Sequence, residues 1–112
     1  MRKIFLSVPM KDLTKEEIQA NIDWFKPYLT DEDEPVNNFI EVPEGSPRLY
    51  GLGEAIKKLG DCDEVWMHPN WRFHNGCHIE HETALLYGIT VYDFFYERTR
   101  QHLLGWKERY GS

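Results

Sequence analysis

A chain of 112 residues, 41% hydrophobic and 29% charged, has the length of one domain and the composition of an ordinary globular protein. Its formal charge of -6 excludes a sequence-independent binder of nucleic-acid polymers, which needs a lysine- and arginine-rich surface for counterion release, yet leaves room for a single nucleotide at one helix N-terminus. No apolar run approaches the roughly 20 residues of a membrane span, the opening Met1 to Ser7 is too short for a signal peptide, and the two cysteines make neither a CxxC pair nor a disulfide framework. A reduced, cytoplasmic setting with no membrane partner is expected.

In chain order, residues 3–8 are apolar and β-favouring and predict a buried first strand, broken by Ser7-Val8-Pro9-Met10. Thr14 is an N-cap candidate with Glu16 and Glu17 in the first turn, and Ile18, Ile22, Phe25 and Leu29 follow at helical spacing, so a helix should run to about Thr30. The run Asp31-Glu32-Asp33-Glu34-Pro35 is expected as a solvated acidic turn. Residues 38–42 then predict a second strand, and residues 43–47 a loop. A helix over 47–59 presents Leu49, Leu52, Ile56 and Leu59 on one side and stops at Gly60. Residues 64–68 predict a third strand, 76–87 a third helix stopped by Gly88, and 89–92 a fourth strand. A last helix over 94–110 offers Phe95, Leu103, Leu104 and Trp106 for packing.

Strands alternating with helices predict a single α/β domain over 1–112, a three-layer α/β/α Rossmann-like or flavodoxin-like arrangement with a small parallel sheet. In such a sheet the ligand crevice lies outside the carboxyl ends of the strands. The segments expected there are Ser7 to Met10, the loop after Val42, and His68 to Gly76.

Two carboxylates are the candidate chemical groups: Asp63 before the third strand and Glu80 in the first turns of the third helix, on the border of the face formed by Ile79, Thr83 and Leu86. Placed at the same end of a sheet, they would suit sugar-bond chemistry. An acid early in a helix also complements the helix dipole, so the position of Glu80 alone does not separate the two roles. Between the acids lies a loop with His68, Trp71, Phe73 and His74, where aromatic rings could stack on a base and the amides of Asn70 and Asn75 could read its edge. Trp66 reads as core, whereas Trp71 suits packing and stacking equally. His74, Cys77, His78 and His81 raise a metal site. However, His81-Glu82-Thr83-Ala84-Leu85 lacks the second histidine of HExxH, and the adjacent Cys77 and His78 diverge on a helix, so neither a metal nor another cofactor is expected. Glycine-rich phosphate loops are absent.

Lys3-Ile-Phe-Leu-Ser-Val-Pro-Met10, then Cys62-Asp63-Glu-Val-Trp-Met, Trp71, and Gly76-x-x-x-Glu80-x-x-x-Ala84-x-x-x-Gly88-x-x-x-Tyr92, together resemble the nucleoside 2-deoxyribosyltransferase superfamily. In particular they resemble the small DUF4406 domains of phages and bacteria. The resemblance spans residues 3–92 and implies a strand order of 2-1-3-4. It implies that Glu80 is the nucleophile that attacks the anomeric carbon and releases the base. Asp63 would assist at the base or sugar, and Ser7 to Met10, including Pro9, would line the sugar and base site. A homo-oligomer is implied as well, because members often complete the site from a neighbouring subunit.

Three positions depart from the pattern. Phe5 stands where catalytic branches carry a tyrosine that orients the nucleophile, His74 where they place a serine or aspartate, and Val8 where a related Gly-Pro-Met motif has glycine. The resemblance therefore implies a slow or altered nucleoside deoxyribosyltransferase or (deoxy)nucleoside 5′-monophosphate N-glycosidase, with a small nucleoside or nucleotide as partner and a crevice formed by Phe5, Ser7, Pro9, Met10, His68, Trp71, His74 and Gly76. The second expectation is a non-catalytic nucleotide-binding or sensor domain using the same crevice, and the third a purely structural or assembly protein.

Overall fold

In the computed structural model, which describes residues 1–37 and 48–95, the first strand forms where apolar side chains follow without a break. Strand β1, Arg2–Ser7, buries Ile4, Phe5, Leu6 and Ser7 in succession, so it is covered on both faces. A turn through Asp12, whose φ of 63° a short polar side chain tolerates, leads to helix α1, Lys15–Asp23. Its start is a capping box: Thr14 Oγ1 accepts from the Glu17 amide at 3.1 Å, and Glu17 Oε1 accepts from the Thr14 amide at 3.0 Å. The helix stops earlier than its apolar periodicity predicts. Pro27 lacks an amide and would crowd the carbonyl of Asp23 in a continuing helix, so Lys26–Tyr28 tighten into a 3-10 turn. Ile18, Ile22 and Phe25 are nevertheless buried, as their spacing requires.

The solvated turn expected over 31–35 is present at Asp31 and Glu32, but from Asp33 the chain is already strand β2, Asp33–Asn37, and Asp33 is buried. Asp33 is drawn in because its carboxylate is fully engaged. Oδ1 accepts from Arg2 Nη2 at 2.8 Å and Nε at 3.1 Å, and Oδ2 accepts from the Thr30 amide at 2.8 Å. Burial pushes the Asp33 carboxyl up, and the Thr30 amide and Arg2 guanidinium more than offset this, so it lies below the usual range. Pro35 is tolerated because β2 is an edge strand, where a missing amide leaves no ladder bond unmade. The strand expected over 38–42 and the loop over 43–47 lie outside the described residues.

Helix α2 spans Arg48–Leu59, strand β3 Glu64–Met67, helix α3 Asn75–Leu86 and strand β4 Thr90–Asp93. A 3-10 turn, Trp71–Phe73, joins β3 to α3. Helix α3 ends in a Schellman motif on Gly88, whose φ of 77° favours glycine: the Gly88 amide donates to Leu85 O at 3.4 Å and the Ile89 amide to Ala84 O at 2.9 Å. Past Phe95, the helix predicted over 94–110 lies outside the described residues.

The four strands are all parallel, in the order β2-β1-β3-β4. Alternation along the strands then divides the core into two. Ile4, Leu6 and Trp66 point to one face and pack with Ile18, Ile22 and Phe25 of the α1 segment and with Phe94. Phe5, Val65 and Met67 point to the other and pack with Ala55 and Leu59 of α2 and Cys77 and Ala84 of α3. Helices on both faces of the sheet make the expected three-layer, Rossmann-like architecture. Ser7 follows Phe5 in the two-residue alternation, so its side chain emerges toward α3.

Candidate functional site

The chain order and the sheet order define where a ligand can sit. From β1 the chain crosses to β2 on one side, and β3 then returns to the other side of β1. The loops leaving the carboxyl ends of β1 and β3 therefore diverge, opening a crevice at the switch point. A cleft of about 320 Å³ lies there, lined by Pro9 after β1, by Asn70 and His74 after β3, and by Leu13, Glu17, Ala20 and Asn21 at the start of the α1 layer. Asn21 Nδ2 donates to the Pro9 carbonyl at 3.3 Å, tying α1 to the β1 loop.

Glu80 is 1% exposed and Ser7 0%, and Ser7 Oγ donates to Glu80 Oε1 at 2.7 Å. This is a short contact between the carboxyl end of β1 and the second turn of α3. Cys77, one helical turn before Glu80, completes the cluster. Burial pushes its thiol up to about 12, against a lowering contact from Ser7 and with a further rise from the Glu80 charge. The thiol is therefore neutral at physiological pH. The apolar packing of α3 explains why an acid sits inside: Cys77, Glu80 and Ala84 share its buried side.

Asp63 is elsewhere. Its amide donates to the Lys3 carbonyl at 2.8 Å and its Oδ2 accepts from the Lys3 amide at 2.8 Å, at the amino end of the sheet. From Lys3 to Ser7 the strand rises about 13 Å. This corrects the expectation that the two acids share one end, since glycosyl chemistry needs carboxyls within roughly 5–9 Å. The reason is strand length: the acid precedes β3, and β3 must run its full extent before its loop reaches the crevice.

The other sequence candidates divide. Pro9 and His74 line the cleft, and His74 occupies the N-cap position of α3 without a capping bond from its side chain. Phe5 is fully buried in the core on the α2 and α3 face, and Met10 packs against the core on the α1 side. His68 is also interior, with its ring 5.5 Å from Trp24 and 6.1 Å from Phe25 between centroids. Its Nδ1 accepts from the Asn70 amide at 3.1 Å, and burial, then the neighbouring His74, lowers its pKa to about 4. Trp71 is 6% exposed, donates from Nε1 to Asp93 Oδ1 at 2.8 Å, and stacks on His81 with centroids 4.5 Å apart. It is a structural ring rather than an open platform. Gly76 lies exposed in the first turn of α3 with room for a Cβ, so no close approach demands glycine there.

Cys77 and the α1 residues of the cleft carried no motif. A signal for the latter exists in hindsight: Leu13, Glu17, Ala20 and Asn21 form a stripe at helical spacing beside Ile18, Ile22 and Phe25. Among the described residues no three His, Cys, Asp or Glu side chains converge on a metal position, and no helix is long and apolar enough to cross a membrane.

A family described as a domain of unknown function (DUF4406) matches residues 2–93. No curated protein and no solved structure matches the chain with significance.

Proposed function

The chain belongs to the DUF4406 family, and from that premise we propose that it cleaves or transfers the N-glycosidic bond of a nucleoside or nucleotide, with Glu80 as nucleophile. The observation that carries this reading is a buried carboxylate held by the Ser7 hydroxyl at the carboxyl edge of β1, two residues before the cleft-lining Pro9. In the proposed step a Glu80 oxygen attacks the anomeric carbon. The bond from that carbon to the base nitrogen breaks, and the base leaves with the electron pair and takes up a proton. Water, or a second base, then displaces Glu80 and restores the carboxylate. With Asp63 at the far end of the sheet, the proton comes from water or from His74 in the cleft.

A panel of deoxynucleosides and their 5′-monophosphates, with free base measured by chromatography, tests the reading. Base release that falls on the order of 10⁴-fold in Glu80→Gln is the expected result. Release at the parent rate in that variant sinks it.

The distance between the two acids favours a second reading, a non-catalytic nucleotide-binding domain using the same cleft. Thermal stabilisation by a nucleotide with no release of base would select it, since a ligand at a hundred times its dissociation constant adds about 2.7 kcal/mol.

A further inference from the structure

Ser7 and Glu80 meet across 73 residues of chain, both closed to solvent, at an Oγ–Oε1 distance of 2.7 Å. A hydroxyl donating to a carboxylate favours the charged form, and a fixed donor also fixes the orientation of the oxygen that accepts from it. Two elements make the contact reproducible. Ser7 is locked by the β1 ladder, where its carbonyl accepts from the His68 amide at 3.0 Å and it stands in register with Met67. Glu80 is locked by α3, whose buried side also places Cys77 against the Ser7 hydroxyl. The previous residue of β1 on that face, Phe5, is a core ring.

We propose that Ser7 is a positioning residue that holds the Glu80 carboxylate ionised and oriented for attack, acting through Glu80 and not through contact with the ligand. This rests on the reading of Glu80 as nucleophile. Its electrostatic half, however, is a property of the folded chain and can be measured without turnover.

The test uses the full chain with ¹³C-labelled glutamate side chains and follows Glu80 by NMR as pH is varied, with Glu80→Gln to assign the signal. In Ser7→Ala the Glu80 carboxyl should ionise at higher pH, by about tenfold in its ionisation constant. Ser7→Thr and Ser7→Val have nearly the same shape and differ by one hydroxyl. They keep the comparison decisive if the alanine variant does not fold: threonine should titrate like the parent and valine should not. Identical titrations in the threonine and valine variants overturn the proposal. In the base-release assay, Ser7→Val should lower kcat at least tenfold relative to Ser7→Thr, with KM changed less than twofold. A changed KM at constant kcat would place Ser7 in ligand contact and overturn the positioning role. If the parent releases no base while the titration shifts as stated, the glycosidic reading fails and the electrostatic role of Ser7 stands.

Discussion

Lys3 and Asp63 clasp each other by two hydrogen bonds of 2.8 Å, one from each backbone amide, across 60 residues of chain. The clasp extends the pairing of β1 with β3 by one step beyond Ile4 and Glu64. It thereby helps fix the register that brings Ser7 level with the end of β3.

Removing the carboxylate tests whether Asp63 is structural. Asp63→Ala should lower stability by about 1 kcal/mol, the usual net worth of one hydrogen bond. It would be read as a lower urea midpoint at an unchanged slope. Ligand binding in the cleft should stay at the parent level. Parent-like stability with lost binding or base release would return Asp63 to the site.

His68 makes stability depend on pH. Its pKa falls from an unperturbed 6.5 to about 4 in the folded chain, so between those values the unfolded state binds more protons. Its stabilisation is full above pH 6.5 and is lost as the pH drops toward 4, by about 3 kcal/mol at most. Urea unfolding at pH 7 and pH 4.5, for the parent and for His68→Phe, should show a smaller loss in the variant. Equal losses would mean that the imidazole is not held neutral by the core.

Trp71 is expected to matter for the fold and little for the ligand. Trp71→Phe removes the indole bond to Asp93 and part of the stack on His81. It should destabilise by about 2 kcal/mol, since the acceptor is charged. Titration with a bound nucleoside should show affinity changed less than threefold. A tenfold loss would mean that the ring opens to the cleft.

Much of this arrangement is legible in the sequence, and the misses share a physical cause. The N-cap at Thr14 with acids in the first turn, the glycine stop at Gly88 and the parallel sheet are local or topological signals, and each is present in the structure. The start of β2 was hidden because its driving contact, Arg2 with Asp33, spans 31 residues, while the local run of acids and Pro35 reads as a turn. The ends of the sheet were confused for the same reason. Asp63 and Glu80 look adjacent in a motif, yet the strand between them carries them to opposite ends of the sheet. Trp71 could not be settled from its neighbours, because Asp93 and His81 are what close it in.

The central place of β1 has a consequence for how the chain folds. Each of its two pairings waits for residues far along the sequence, β2 some 31 positions on and β3 some 60. Neither an N-terminal fragment ending before β3 nor a fragment lacking β1 can close the two-sided core. Such non-local parallel pairing, with its loop-closure entropy, favours slow, all-or-none folding over stepwise growth. During synthesis the apolar Ile4, Phe5 and Leu6 would emerge well before β3, the partner that covers one side of them. Strand β1 is thus the part of this domain most in need of protection until β3 is free to pair with it.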